Sequence, residues 1–348
     1  MHFLDQTNIF LFLIQVFILL LIGRGLGEIF QRWKQPALTA EILAGVILGP
    51  TILGRFFPEV HSYIFPSDPI QTGMLETVSW LGIMFLLLDT GLEIDFSIAW
   101  RQKGNALIIA LSDIILPMII AFIPAIMLPD KFLAHSDRRI IFGLFMATVM
   151  TISAMPVSAR MFRDFNMLKT NLGFLVISAL AVNDIIGWVL FTIILGIFLT
   201  SSLSIFPVVI VFASTIGFAT IAIMLGRRFS TVALGFLKDK GLKEPSTSLT
   251  CACLLGVLFG ALTEKLGISS LFGFFIAGIV IGEAKNLSEE TRGIISQMVN
   301  ALFVPLFFAN IGLKVDFADN FNWGLVILIT AIGIFARYIG AWFGVTLT

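Results

Sequence analysis

Apolar residues in this chain gather into long blocks, and short polar stretches separate them. Eleven blocks approach or exceed the roughly 20 residues that carry a helix across the hydrocarbon core of a bilayer. They cover residues 9–30, 38–56, 72–92, 104–128, 140–162, 171–199, 203–225, 246–264, 267–283, 293–313 and 323–347. Lipid offers no partner to backbone N–H and C=O groups, so runs of this length are expected as helices. The pattern predicts an all-α polytopic membrane protein embedded in a lipid bilayer.

Composition strengthens that expectation. Of the 348 residues, 58% are hydrophobic and 13% are charged, against about 25% charged in a soluble chain. A soluble domain cannot bury so much apolar surface. Basic and acidic residues number 22 each, for a net charge of zero, and this balance gives no reason to expect nucleic acid as a partner. Cys251 and Cys253, the two cysteines, lie in an apolar run and read as packing residues. No disulfide framework or zinc signature is present, and no cofactor and no enzymatic activity are expected. The first block has no basic stretch before it and no small-residue cleavage site after it, so it is expected to be a retained helix.

Sidedness follows from Lys and Arg in the loops. Loops after odd-numbered spans hold fifteen of them; loops after even-numbered spans hold six, namely Arg55, Lys131, Arg138, Arg139, Lys265 and Lys314. Odd-numbered spans are therefore expected to end in the cytoplasm, with the N-terminus outside a cell (inner) membrane. Lys131, Arg138 and Arg139 are the exceptions, three basic residues in one outer loop.

Two stretches resemble each other across the chain. Glu41-Ile-Leu-Ala-Gly-Val-Ile-Leu-Gly49 matches Phe274-Phe-Ile-Ala-Gly-Ile-Val-Ile-Gly282, and Leu87-Leu-Asp-Thr-Gly-Leu-Glu-Ile-Asp-Phe96 matches Phe308-Ala-Asn-Ile-Gly-Leu-Lys-Val-Asp-Phe317. The offsets are similar, 233 and 221 residues, and the order is the same. The matches pair span 2 with span 9 and span 3 with span 10. An offset of seven spans sends the two copies through the membrane in opposite directions, the inverted-repeat plan of many secondary transporters. Residues 1–199 form the first repeat unit, 203–225 a linker helix, and 246–348 a second unit. The second unit lacks counterparts of spans 5 and 6 and is expected to be incomplete at its C-terminus. The pairs Gly45/Gly49, Gly278/Gly282 and Gly340/Gly344 have the small-xxx-small spacing of close helix packing.

The candidate chemistry gathers in spans 5, 6 and 11. Asp184 lies near the middle of 171–199, about 20 Å from either end at 1.5 Å per residue. A carboxylate there is costly unless it is protonated, paired or hydrated, and those are the terms on which proton and cation compete for one group. Asn183 adds a neutral oxygen beside it. In span 5, Pro156 removes a backbone donor and crowds the preceding turn, so the helix should break near Ser153. Freed carbonyls and the hydroxyls of Thr151 and Ser153 become further oxygen ligands for Na+ or K+ held by Asp184, although such hydroxyls more often bond back to their own helix. Arg337, mid-span in the last block, keeps its proton. It is expected to neutralise a buried carboxylate, Asp184 or another. Glu41, Glu76, Asp89 and Asp113 are the other acids expected to be buried. Asp89-Thr90-Gly91 matches the triplet of aspartic proteases, a three-residue coincidence on a helical background.

At Thr151-Ile-Ser-Ala-Met-Pro156, Ala181-Val-Asn183-Asp184 and Phe307-Phe-Ala-Asn310-Ile-Gly312-Leu-Lys-Val-Asp316 the chain resembles the monovalent cation:proton antiporter superfamily, over essentially its whole length. The resemblance implies an inverted-repeat antiporter fold of about thirteen helices, of which eleven are in this sequence. It also implies a homodimer and a mobile core with two crossed, broken helices. Asp184 matches the aspartate that binds cation and proton in turn, Asn183 the position before it, and Arg337 a basic position that pairs with an acid in the core. The Asn-Asp pair with Arg resembles electroneutral exchangers that trade one proton for one Na+ or K+. A glutathione-type potassium-efflux K+/H+ exchanger is the alternative within the superfamily. A non-transporting membrane sensor, an inactive fragment or an intramembrane protease are the alternatives outside it.

Overall fold

The computed structural model describes residues 5–93, 104–133, 135–152, 167, 170–200, 205–240, 243–284, 287–317 and 321–348. In chain order its helices are α1 (Gln6–Arg32), α2 (Ala37–Leu48), α3 (Leu53–Phe56), α4 (Pro58–Ile64), α5 (Pro69–Glu93), α6 (Asn105–Ile126), α7 (Arg139–Thr151) and α8 (Asn171–Thr200). There follow α9 (Ile205–Ile221), α10 (Arg227–Asp239), α11 (Ser246–Lys265), α12 (Ser270–Gly282), α13 (Glu289–Met298), α14 (Val304–Leu313) and α15 (Trp323–Thr346). Single π-helical segments, Ala222–Gly226 and Val299–Phe303, join α9 to α10 and α13 to α14. No strand occurs among the described residues, and nine of their helices are long and apolar enough to cross a membrane.

Two of the eleven expected spans are not among these nine, and one of them, 140–162, runs into residues outside the described ones. Block 140–162 is helical over Arg139–Thr151 and turns to extended backbone at Ile152 (φ −73°, ψ 126°). Ser153 and Pro156 lie outside the described residues. Block 267–283 yields α12, whose 13 residues reach about 20 Å, less than the roughly 30 Å of hydrocarbon. Its ends are well specified. Gly267 takes a positive φ of 73°, with Ile268 N–H donating to Thr263 O (2.9 Å) and Gly267 N–H to Glu264 O (3.1 Å). This is the paired bond of a glycine-terminated helix. Ser269 then caps α12 by accepting from Leu271 N–H. Every residue from Leu271 to Ile281 is buried, so α12 is wrapped by protein and needs no bilayer-spanning length. The linker block also differs from expectation. Its helix does not stop at 225 but continues through the π-helical segment into α10, where Arg227 Nε lies 3.0 Å from Glu283 Oε2.

The residues pack into two compact units. One comprises 1–89, 241–251 and 287–321. In it α1, α2, α5 and α14 meet around Leu19, Leu48, Leu75, Leu306 and Ala309. Side-chain amides tie its ends together: Gln15 Nε2 donates to Ile64 O (2.7 Å) and Gln71 Nε2 to Asn8 O (2.8 Å). Glu76, expected to be buried, is instead half-exposed and lies 2.7 Å from Lys314 Nζ. It sits only two turns into α5, where a charged side chain reaches the helix end. The other unit comprises 90–240, 252–286 and 322–348. In it α6 packs against α7, α8 and α15, and α8 against α9.

Glycines set the closest approaches in both units, and they do so twice in the same way. A Cβ on Gly312 would strike Ile42 O, Gly45 Cα and Val46 N. A Cβ on Gly91 would strike Phe275 O, Gly278 Cα and Ile279 N. The struck residues differ by the repeat offset of 233, and the two glycines by 221. One turn on, a Cβ on Gly49 would meet Leu313 O at 3.0 Å and one on Gly282 would meet Leu92 O at 2.9 Å, again an equivalent pair. The glycine helix of each copy therefore packs against the other copy's Asp/Asn helix, and small residues are what let the backbones touch. Gly45→Val and Gly91→Val should each overpack such a contact and destabilise the protein by about 1–3 kcal/mol or more, read as a lower melting temperature in detergent. Gly25→Ala, with no atom within 4 Å of the added carbon, should melt with the wild type. A Gly45→Val protein that melts unchanged would contradict this account of the packing.

Candidate cation site

The second unit brings four helices to one polar cluster, beginning with α6. Asp113 lies mid-helix with Pro117 four residues on, and proline cannot give Asp113 C=O its helical hydrogen bond. Helix α15 lies close along α6 because Gly340 and Gly344 leave room. A Cβ on Gly340 would sit 3.2 Å from Asp113 Cα and 3.0 Å from Pro117 Cδ, and one on Gly344 3.0 Å from Ile109 Cα. Arg337, one turn before Gly340, is carried to the carboxylate by that contact. Helix α7 contributes its C-terminal end at Thr151, and α8 contributes Asn183 and Asp184.

Arg337 joins three of these elements. Its Nη1 donates to Asp113 Oδ2 (2.6 Å) and its Nη2 to Thr151 O (2.6 Å). The second bond caps a helix end whose last carbonyls have no intrahelical partner and carry partial negative charge. Asn183 Nδ2 donates to the same Asp113 Oδ2 (3.0 Å), which ties in α8. Thr151 Oγ1 donates to Thr148 O (2.7 Å), and Thr148 Oγ1 to Leu144 O (2.9 Å). Near the break, α8 passes closely enough that a Cβ on Gly187 would meet Ile152 Cγ1 at 3.1 Å.

Burial makes these contacts consequential. Asn183 is 1% exposed, Asp184 4% and Thr151 1%. An ionised carboxylate only accepts hydrogen bonds, so the NH2 of Asn183 is the end that faces Asp113. Its Oδ1 is thereby turned away, and this buried oxygen has no hydrogen-bond partner. A buried acceptor without a donor is costly, and it lies one residue from a buried aspartate. Arg337 and Asp113 cancel each other's charge, so loss or gain of a proton at Asp184 changes the charge of the cluster by one.

The structure brings Asn183, Thr151 and Arg337 together through Asp113 and the α7 end, and Asp184 follows Asn183 along α8. Ser153 lies outside the described residues. The acid that meets Arg337 is Asp113, which the sequence marks only as one mid-span acid among several. A proline four residues later was the available signal that its backbone is special. Glu41 and Asp89, both buried, belong to the other unit. Asp89 Oδ2 there accepts from Ser296 Oγ (3.2 Å) and Asn300 Nδ2 (3.3 Å). Among the described residues no group of three or more His, Cys, Asp or Glu is placed to hold a metal ion.

The sequence profile described as sodium/hydrogen exchanger, transmembrane, matches residues 16–348. The chain belongs to this exchanger family. It is 31% identical over 344 residues to cation/H(+) antiporter 17 of Arabidopsis thaliana, a match covering 95% of this chain and 40% of that protein. It is 28% identical to the Na(+)/H(+) antiporter NhaS4 of Synechocystis, covering 97% and 82%. It is 30% identical to K(+)/H(+) antiporter 1 of Saccharomyces cerevisiae, covering 97% and 39%. The exchanger chain thus spans about 40% of the length of its plant and yeast relatives. Its fold is that of the sodium proton antiporter MjNhaP1 from Methanocaldococcus jannaschii, with a TM-score of 0.70 at 18% identity over 97% of this chain and 79% of that one.

Removing one member of this partly buried pair leaves the other's charge without its partner, and full burial would make that cost about 3–5 kcal/mol, an upper bound here. Arg337→Gln and Asp113→Asn should each lower stability by up to that amount, and the double variant should recover most of the loss. A denaturation series in detergent checks this. Two single losses that merely add in the double variant would show that the pair does not hold the cluster together.

Proposed function

We propose that this exchanger-family protein is a secondary transporter that trades a monovalent cation for a proton by alternating access around Asp184. The observation that carries the reading is the buried, unpartnered Asn183 Oδ1 beside the buried carboxylate of Asp184. With the cation bound, both oxygens have a positive partner. With the cation gone, a proton on Asp184 removes the charge that would otherwise be costly inside the membrane. Thr151 offers its hydroxyl lone pairs from the end of the broken helix, and Ser153 is its companion in the same segment. Arg337 has another task, holding Asp113 and the α7 end so that their charges stay balanced through the cycle. One titrating carboxylate then exchanges one proton for one cation, and the cycle is electroneutral.

Na+ is the leading substrate, supported by the likeness to Na(+)/H(+) antiporter NhaS4. K+ is the second reading, favoured by the similarity to K(+)/H(+) antiporter 1, with the glutathione-type potassium-efflux exchanger as its form. We place the protein in the cell membrane as a homodimer with its N-terminus outside. Residues 1–199 and 246–348 are the two inverted-repeat units and 203–225 the linker, a division the duplicated glycine contact supports.

The test is collapse of a preset pH gradient in proteoliposomes of the full-length protein when Na+ or K+ is added. The cation that is exchanged should collapse the gradient, whereas Asp184→Asn should abolish the response. Asn183→Ala should weaken apparent affinity about tenfold to a hundredfold, the loss of one charge-assisted contact of about 1.5–3 kcal/mol. A response that survives Asp184→Asn would defeat the proposal.

A further inference from the structure

One of the three basic residues of the loop between α6 and α7, Arg138, borders a cavity in the unit that holds the polar cluster. Arg139 is accounted for: it donates to Ile126 O and Leu128 O and pairs with Asp130. Lys131 Nζ lies 4.8 Å above the Phe132 ring. Arg138 is different. Its guanidinium lies 5.8 Å from the Phe198 ring centre, and its one acidic neighbour, the well-exposed Asp137, is 3.9 Å from Nε. Arg138 and His135 stand at a cavity of about 270 Å³ whose walls include Phe142, Phe145, Ile194 and Phe198.

Three features of this cavity select one kind of occupant. The walls are aromatic and aliphatic, and Phe145 and Phe198 are 42% and 46% exposed, surfaces that in a membrane protein meet lipid tails. The cavity is a little below the roughly 300 Å³ at which drug-sized pockets begin, room for part of one acyl chain. The polar side carries a guanidinium and the N-terminus of α7. That helix has no side-chain cap and no acid in its own first turn, but Asp137 lies in the 3-10 turn before it, so the attraction for an anion comes chiefly from the Arg138 guanidinium. We propose that this cavity binds an anionic phospholipid, with an acyl chain between α7 and α8 and the phosphate on Arg138. The inference is independent of the exchange reaction. Its interest is position: α7 ends at the break beside Thr151, and α8 carries Asn183 and Asp184, so a seated lipid would brace the two helices that build the cluster.

Native mass spectrometry of the protein released from phosphatidylcholine nanodiscs doped with phosphatidylglycerol tests it. The wild type should retain one phosphatidylglycerol that Arg138→Ala loses and Arg138→Lys keeps. Leu195→Trp, which fills the cavity and leaves every charge in place, should lose the same molecule. Equal retention in the wild type and Arg138→Ala overturns the proposal. So does a loss in Arg138→Ala that Leu195→Trp does not share, since that describes surface attraction without the cavity. Retention of phosphatidylcholine in place of phosphatidylglycerol overturns it as well.

Discussion

A guanidinium inside a helical membrane protein has five donors and a permanent charge, and both must be met by protein. Arg337 meets them with one carboxylate and one helix end. The carboxylate of Asp113 takes its charge, and the carbonyl of Thr151 takes a second donor. This arrangement fixes three elements at once: the proline-containing helix α6, the end of the broken helix α7, and the last helix α15. Asn183 adds α8 through the same carboxylate oxygen. The Arg337–Asp113 pair cannot be broken without leaving a partly buried charge unpaired, and the two further hydrogen bonds hold α7 and α8 to it.

Close helix contact makes the bonds possible. Gly340 and Gly344 let α15 lie along α6, and without that approach Arg337 would not reach Asp113. The other unit uses the same device, where Gly45 and Gly312 bring α2 and α14 together. The Gly91 and Gly278 contact in the second unit repeats that one residue for residue after the two offsets are applied. Between the two similar stretches the packing thus agrees more closely than the chemistry. Asp89 has Asn310 as its counterpart and Glu41 has Phe274, so polar roles diverged where the glycines did not.

Much of the fold was legible because spanning helices are specified by the length of apolar runs, and most expected boundaries lie within a few residues of the observed ones. Helix α12 shows where that logic stops. Its sequence is as apolar as any span, but hydropathy does not distinguish a helix surrounded by protein from one surrounded by lipid. The end of α7 at Thr151 lies close to where Pro156, itself outside the described residues, led one to expect a break. The pairing of Arg337 with Asp113 was not legible, because it joins residues 224 apart and depends on how two helices cross. Glu76 and Asp113 looked alike as acids within apolar blocks. Only their distance from the helix end and their neighbours separate a half-exposed pair with Lys314 from a partly buried partner of Arg337.

We propose that Asp184 is the group in the cluster that gives up a proton when a cation binds, while Arg337 holds Asp113. Counting protons released when Na+ or K+ is added to weakly buffered, purified protein tests it directly. The account predicts one proton released per cation bound in the wild type and none in Asp184→Asn. Proton release that persists undiminished in Asp184→Asn would contradict it and move the exchange to another carboxylate.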